Sequence, residues 1–177
     1  MTPKLRTLLV TLAVVVPLDQ LTKWWVSAHV SQFDPLVIIP GFFQITHARN
    51  TGMALGLFRE MPVIFFIVAT LIALVAVVSV YRQFTPPDRH AGVSLGLIVG
   101  GAIGNLIDRV ARGSVVDFLQ FDLQVFVFPD FNVADSAIVI GVALLLLEIG
   151  ATDSERSSGV PEELPAEAAA RAEERET

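Results

Sequence analysis

The sequence predicts a mainly α-helical, polytopic membrane protein with four transmembrane helices and a small extracytoplasmic β-rich element. Of the 177 residues, 53% are hydrophobic, and the mean hydropathy of +0.64 is too high for a soluble domain of this size. Four apolar runs lie at about 7–27, 62–81, 91–109 and 133–150. Each approaches the ~20 residues that cross ~30 Å of hydrocarbon, so we expect one four-span membrane domain over residues 1–150.

The first apolar run follows Lys4 and Arg6 and therefore has the layout of a secretory signal. It lacks a small-x-small cleavage site, and DQLTKWW (19–25) follows it directly. We interpret it as an uncleaved first span. Four spans place both termini on one side of the membrane, and the bias of lysine and arginine between the loops favours the cytoplasm by a small margin.

The two connections on the opposite side, at about 28–61 and 110–132, are the long ones. The first contains LVII (36–39) and FFQITHA (42–48) among prolines and glycines, which predicts a small β-rich element at the membrane surface. The second is an extracytoplasmic loop between the third and fourth helices. It contains FDLQVFVF (121–128), which predicts a strand or an interfacial segment.

The formal charge of −6 is concentrated in residues 151–177, which carry eight acidic and three basic side chains. This segment has almost no large apolar residues and is predicted to be a disordered cytoplasmic tail. The absence of cysteine excludes disulfides, thiolate catalysis and cysteine-bound metal. The three histidines are scattered, so we expect no metal site. We also expect no cofactor and no nucleic-acid partner.

Charged and amide side chains gather at one end of the predicted bundle. The C-terminal ends of spans one and three and the N-terminal end of span four must face the same side of the membrane. These ends carry Asp19, Lys23, Asn105, Asp108, Arg109, Asn132 and Asp135. Ionisable groups within a membrane cost roughly 2.5–3.5 kcal/mol each on insertion scales, so they pair or mark a functional site.

Helical spacing predicts two contacts within this bundle. Asp19 and Lys23 are spaced i, i+4 and are expected to pair on one helix face, either to neutralise each other for insertion or to anchor a site. Gly96, Gly100 and Gly104 repeat every four residues, which predicts a face that another helix can approach closely.

Asp117 and Asp135 are the candidates for catalysis, and Asp108 is a weaker one. Asp108 is next to Arg109, and the two charges are predicted to compensate each other, which keeps Asp108 ionised and makes it a poor proton shuttle. Asp117 and Asp135 are instead flanked in sequence by apolar residues, without an obvious cation nearby. Brought together, they would share one proton, so that the ionised acid activates water while the protonated acid polarises a carbonyl. From the residues alone, a proton or ion path and structural polar clustering stay open.

Five motifs, in this order around four spans, resemble the lipoprotein signal peptidase family, also named signal peptidase II. They are DQLTK (19–23), NTG (50–52), GGAIGNLIDR (100–109), VVDF (115–118) and FNVADS (131–136). The resemblance extends over about residues 8–150. It implies an intramembrane aspartic endopeptidase of the bacterial cytoplasmic membrane, with its active site near the outer leaflet. Such an enzyme cleaves diacylglyceryl-modified prolipoproteins just before the lipidated cysteine.

By the same resemblance, Asp117 and Asp135 are the catalytic aspartates, and Asp108 is their competitor. The residues expected to support the site or bind substrate are Asp19, Lys23, Asn50, Gly101, Asn105, Asp108, Arg109, Asn132 and Ala134. The implied partners are prolipoprotein signal peptides and membrane lipid, and we expect a monomer. A signal-peptide helix is expected against the glycine face and the second and fourth spans.

Two features depart from the family pattern. Met53, Ala54 and Leu55 follow NTG where the family usually has two alanines and an aromatic residue, and the acidic tail is additional. A proton-coupled transporter that uses the intramembrane aspartates is the alternative function. The sequence shows no convincing internal repeat of the kind that favours such a transporter.

Overall fold

The computed structural model describes residues 1–52, 61–84 and 89–158. It contains four helices, α1 (Pro3–His29), α2 (Val63–Phe84), α3 (Arg89–Arg112) and α4 (Val133–Ser158), and three strands, β1 (Leu36–Ile39), β2 (Phe43–Asn50) and β3 (Val115–Phe121). Within these ranges, three helices are long and apolar enough to cross a membrane: Pro3–His29, Ala91–Arg112 and Val133–Gly150. The apolar part of α2, Val63–Ser79, is shorter. A mainly helical membrane protein with a small sheet is therefore confirmed.

The glycine stripe of α3 packs against α1. Gly96, Gly100 and Gly104 face Thr11, Val15 and Asp19 of α1 in turn, and Gly96 also faces the carbonyl oxygen of Leu8. A Cβ added at Gly96 would lie 2.6 Å from Thr11 Cβ, and one added at Gly104 would lie 2.5 Å from Asp19 Oδ2. The predicted close helix approach is confirmed. The expectation that this face holds a substrate helix is wrong, because α1 already covers it.

Glycines on both helices also allow α3 and α4 to pack closely. A Cβ at Gly101 would lie 2.3 Å from the carbonyl oxygen of Ala134, and one at Gly141 of α4 would lie 2.8 Å from the carbonyl oxygen of Ser94. These approaches are backbone to backbone, so the two helices can meet at this distance only where one side lacks a side chain. Helix α3 is thus the central helix of the bundle, in contact with α1, α2 and α4.

The three strands form one antiparallel sheet in the order β1-β2-β3. An irregularity in β2 between Ile45 and Ala48 shifts its register against β3. The sheet is fixed to the end of α1 by a buried apolar cluster of Val26, Val30, Val116 and Phe118. The β-rich element predicted for the first long loop is therefore present, and it takes its third strand from the second long loop.

The third strand does not lie at the predicted position. The sequence favoured a strand or interfacial segment at 121–128, whereas β3 ends at Phe121. The chain then turns back, and Asp122 pairs with Val127 in an isolated antiparallel bridge. The strand forms earlier because VVDFLQF (115–121) pairs with β2 along its length, from Asn50↔Val115 to Phe43↔Phe121.

The helix ends differ from the predicted span boundaries at both termini of the domain. Helix α1 begins at Pro3, where the Thr2 hydroxyl accepts a 3.3 Å hydrogen bond from Leu5 N as an N-cap. Helix α4 continues to Ser158, so the segment predicted as a tail begins as helix. Its remaining residues, 159–177, and the departure at Met53–Leu55 lie outside the described residues.

Candidate active site

A buried ion cluster lies where α1 and α3 meet at their C-terminal ends. Lys23 Nζ lies 2.9 Å from Asp19 Oδ2 and 3.2 Å from Asp108 Oδ2, and all three side chains are 0% exposed. The predicted i, i+4 pair of Asp19 and Lys23 is therefore present. One lysine neutralises part of the charge of two carboxylates, which removes much of the cost of burying them.

The predicted compensation of Asp108 by Arg109 is wrong. The cations that contact Asp108 are Lys23 and Arg112, and Arg112 is four residues further along the same helix face. Adjacent residues on a helix point about 100° apart, so Arg109 is directed elsewhere. Its guanidinium lies 5.5 Å from the ring centroid of Phe66 on α2. Asp108 also accepts a 3.1 Å hydrogen bond from Val116 N, which ties the start of β3 to α3.

Lys23 and Asn132 both donate to the side-chain oxygen of Asn105 and thereby orient its amide. Lys23 Nζ lies 2.9 Å from Asn105 Oδ1, and an ammonium can only donate. The amide nitrogen of Asn105 must therefore point away from Lys23, and it donates a 2.8 Å hydrogen bond to Asp135 Oδ1. The ion cluster thus acts on the position of Asp135 through one amide side chain.

Asn132 and Asp135 form a reciprocal cap at the start of α4. Asp135 N donates a 2.9 Å hydrogen bond to Asn132 Oδ1, and Asn132 N donates a 3.2 Å bond to Asp135 Oδ2. This is the capping-box arrangement with an Asn-x-x-Asp pattern, readable in FNVADS. The same turn is also held from α1, where Asp19 Oδ1 accepts a 2.9 Å hydrogen bond from Ala134 N. The backbone of α4 therefore fixes the Asp135 carboxylate.

Asp117 projects from β3 into the same region. Its Oδ1 accepts a 2.6 Å hydrogen bond from Asn132 Nδ2, and its Oδ2 accepts a 2.9 Å bond from Asn50 Nδ2 on β2. The side-chain oxygen of Asn50 in turn accepts a 2.9 Å bond from Gly52 N, which fixes the NTG turn. Asn132 therefore donates to both carboxylates. Its side-chain amide binds that of Asp117, and its backbone N–H binds that of Asp135.

Burial raises the pKa of Asp117 from its ordinary value to about 7, and the nearby negative charge of Asp135 acts in the same direction. The hydrogen bonds from Asn50 and Asn132 oppose this shift, because they stabilise the ionised form. A proton is therefore retained on Asp117 at a pH where an exposed aspartate has lost it. A carboxyl group that keeps its proton near neutral pH can act as an acid.

Both aspartates open onto one cleft of about 1250 Å³. Asn50, Asn105 and Arg109 lie at its polar end. Much of its apolar lining comes from two segments, residues 126–129 and residues 138–140 of α4. Asp108 does not line the cleft, since its oxygens face Lys23, Gln20, Arg112 and the start of β3. The cleft therefore offers an apolar chain access to two acids.

A third carboxylate, Asp130, also lines the cleft. Burial raises its pKa, while the 2.6 Å hydrogen bond from Gln120 Nε2 opposes that shift. Its hydrogen bonds lead to β2 and β3, where Gln120 is bound by Gln44, and not to Asn132 or Asn105. Asp130 is therefore separate from the network that holds the other two acids.

The residues singled out in the sequence come together in this network. It includes Asp19, Lys23, Asn50, Asn105, Asp108, Asn132, Ala134 and both candidate acids, with Gly101 beneath Ala134 and Arg109 on the cleft wall. Sequence reasoning missed Gln20 and Arg112. Gln20 Nε2 donates to Asp19 Oδ2 at 3.1 Å and to Asp108 Oδ1 at 3.2 Å. The i, i+4 spacing of Asp108 and Arg112 was a signal that could have revealed the second.

Comparisons with known proteins agree with this arrangement. The sequence profile of the family described as Signal peptidase (SPase) II matches residues 11–150. A protein of Symbiobacterium thermophilum named lipoprotein signal peptidase is 45% identical over 143 residues, which cover 79% of this chain and 92% of the relative. A protein of Geobacter metallireducens with the same name is 42% identical over 151 residues, which cover 84% of this chain and 93% of the relative.

Two solved structures of bacterial membrane enzymes, both determined by the in meso method, resemble the fold. One, at 2.3 Å resolution, has a TM-score of 0.75 and 34% identity and covers 89% of this chain and 94% of its own. The other, at 1.9 Å resolution, has a TM-score of 0.70 and 36% identity, with coverages of 80% and 90%. The family profile, the sequence identities and the structural similarities all indicate the same family, and the chain belongs to the signal peptidase II family of aspartic peptidases.

Proposed function

We propose that this chain is an endopeptidase that removes signal peptides from diacylglyceryl-modified prolipoproteins by cleaving just before the lipidated cysteine. The proposal places Asp117 and Asp135 at the reacting bond. The observation that carries it is the sharing of Asn132, whose side-chain amide binds Asp117 at 2.6 Å while its backbone N–H binds Asp135 at 3.2 Å. Both acids thereby face one cleft that has apolar walls and a polar end.

The chemistry is water activation by two acids. Asp117, whose pKa is raised to about 7, holds the shared proton, and ionised Asp135 is the base. Asp135 takes a proton from water as the oxygen attacks the peptide carbonyl carbon, and Asp117 gives its proton to the carbonyl oxygen. Asp135 then gives its proton to the leaving nitrogen. The C–N bond breaks as the hydroxyl of the intermediate returns a proton to Asp117, so both acids end as they began.

The remaining polar residues hold the two acids in place. Asn50 and Asn105 each donate a hydrogen bond to one aspartate, and Lys23 orients Asn105. Each of these groups comes from a different element, so the pair is held from several sides. Arg109 on the cleft wall is positioned to contact the peptide backbone of a substrate or the developing oxyanion.

The proposed membrane placement has four spans, with α2 as the additional one, and both termini in the cytoplasm. It rests on the even number of helices and on the sheet, which lies at the C-terminal end of α1 together with the polar network. The acids are then near the outer leaflet of the bacterial cytoplasmic membrane. A diacylglyceryl group stays in lipid while the peptide bond beside it enters the cleft. A monomer contains every group that this mechanism uses.

The test is processing of a lipidated precursor by purified variants in detergent or proteoliposomes. Asp117→Asn and Asp135→Asn should each lower the rate by about 10²–10⁴-fold, the range for loss of acid–base catalysis, with thermal unfolding close to that of the wild type. Asp122→Asn is the matched control. Asp122 Oδ1 accepts a hydrogen bond from Gln124 N in an exposed turn, which asparagine can also accept, so full activity is expected.

Processing that survives in both variants would overturn the assignment of the acids. Loss of processing in Asp108→Asn together with its survival in Asp117→Asn would move the pair to Asp108 and Asp135. Proton-coupled transport by the wild type, without any cleavage of precursor, would support the alternative function.

A further inference from the structure

The turn between β3 and α4 exposes apolar side chains at its tip. Residues 122–127 form a hairpin, here called the 122–127 hairpin, closed by the Asp122↔Val127 bridge. Val125 at its tip is 95% exposed, and Leu123 and Phe126 are 49% and 52% exposed. Turn residues that face water are usually Gly, Pro, Asn, Asp or Ser. Of the four residues from Leu123 to Phe126, only Gln124 is polar.

The hairpin is an ordered element, and its one polar tip residue, Gln124, is hydrogen-bonded to the β1–β2 turn. Leu123 N donates a 3.0 Å hydrogen bond to Phe126 O, and Phe128 N donates a 2.8 Å bond to Phe121 O. The side-chain amide of Gln124 donates to the carbonyl oxygen of Gly41 in the β1–β2 turn. The side-chain amide of the tip is thus bound to the sheet, while Leu123, Val125 and Phe126 are exposed without such a partner in the sheet.

The hairpin lies beside lipid-facing residues of α4. Residues 126–128 line the same cleft as Val139 and Ile140, which are 67% and 52% exposed on a helix that is long and apolar enough to cross a membrane. Val139 is about 9 Å along the axis from the first residue of α4, at 1.5 Å per residue. Exposed apolar residues of this candidate membrane helix and residues of the hairpin therefore line one cleft.

We propose that the tip of the 122–127 hairpin inserts into the outer leaflet of the bilayer and contacts lipid with Leu123, Val125 and Phe126. The occupant of this surface is lipid, because the apolar surface of the hairpin continues across the cleft onto the lipid-facing side of α4. Insertion is shallow, at the boundary of headgroups and acyl chains, since a turn has backbone groups that hydrocarbon cannot satisfy.

The test uses spin labels, which the absence of cysteine makes specific. Val125→Cys in the full chain is labelled with a nitroxide and reconstituted into phospholipid vesicles. Oxygen partitions into lipid, whereas a nickel chelate stays in water, and collisions with each are measured by power saturation. We expect collisions with oxygen to exceed those with nickel severalfold at position 125. The same excess is expected for a label at Val139→Cys. Val125 is almost fully exposed, so labelling there does not disturb packing.

The matched control adds Leu123→Asp to the labelled Val125→Cys protein. Leu123 does not line the cleft, and its exposed side chain can be replaced without creating a cavity. The charge should move the tip into water and lower the ratio of oxygen to nickel collisions severalfold. A nickel-dominated label at 125 in the parent protein, or a ratio that Leu123→Asp leaves unchanged, overturns the proposal. A nickel-dominated label at 139 overturns it together with the membrane placement of α4. None of these outcomes depends on peptidase activity.

Discussion

Lys23 Nζ lies 2.9 Å from Asn105 Oδ1, and this contact, together with the 3.2 Å bond from Asn132 Nδ2 to the same oxygen, directs the Asn105 amide nitrogen toward Asp135. The lysine itself does not line the cleft and is 0% exposed. Lys23 therefore affects the site indirectly, through the orientation of the neutral Asn105 side chain. The ion cluster and the candidate acids are consequently one connected structure.

Lys23→Met should strongly destabilise the protein. The substitution leaves Asp19 and Asp108 buried without their shared cation, and breaking a buried ion pair in this way costs about 3–5 kcal/mol. Thermal unfolding in detergent measures the effect. The double variant Lys23→Met with Asp19→Asn should recover part of the loss, because it removes the carboxylate charge left without Lys23, while Asp108 keeps its ion pair with Arg112. Unfolding at the wild-type temperature by the single variant would show that the cluster contributes little.

Asn105→Ala should act on the chemical step more than on substrate binding. The variant removes the 2.8 Å donor to Asp135 Oδ1, so the carboxylate gains freedom to move away from the position that α3 and α4 define. We expect kcat to fall roughly 10²-fold, as for a misplaced catalytic group, with KM changed much less. Steady-state kinetics on a lipidated precursor give both values. A fall confined to KM would assign Asn105 to substrate binding instead.

The pH dependence of processing should show an alkaline limb near pH 7. Below this pH Asp117 keeps its proton, and above it the carboxyl ionises, so that the pair loses its acid and activity falls. Asn50 lowers the pKa of Asp117 by a hydrogen bond, so Asn50→Ala should raise that pKa and move the limb to higher pH. Profiles of kcat/KM for the two proteins test this, and a limb that moves to lower pH would contradict it.

Gly101→Ala should destabilise the α3–α4 contact, while Gly150→Ala should not. A Cβ at Gly101 would lie 2.3 Å from a backbone oxygen of Ala134, and such overpacking costs about 1–3 kcal/mol. A Cβ at Gly150 meets nothing within 4 Å, and alanine is favoured over glycine in a helix by about 0.8–1.0 kcal/mol. Unfolding temperatures in detergent should therefore move in opposite directions. Equal temperatures for the two variants would argue against the tight helix contact.

Much of the bundle could be predicted because it follows from span order. Alternating spans force Asp19, Asn105 and Asn132 to the same end, and the four-residue glycine repeat predicts a helix contact without revealing its partner. The partner, α1, depends on tertiary packing over 80 or more residues of sequence separation, as in the contact of Gln20 with Gly104. The sequence cannot encode that choice in any local pattern.

The errors have local physical causes. Asp108 was paired with its sequence neighbour Arg109, but a helix directs neighbours to different faces and brings Arg112 onto the carboxylate. The strand alternative for 121–128 rested on its apolar residues, whereas the observed strand ends at Phe121, and the interfacial alternative stays a prediction. Register between β2 and β3 depends on partners from distant parts of the chain, so it could not be derived from either segment alone.

Because Asn132 and Asp135 cap each other, the position of the Asp135 carboxylate depends on the first turn of α4 staying helical. Fraying of that single turn would withdraw both the carboxylate and the amide that binds Asp117, while the rest of the bundle stayed folded. On heating, peptidase activity should accordingly be lost at a lower temperature than the one at which the whole protein unfolds.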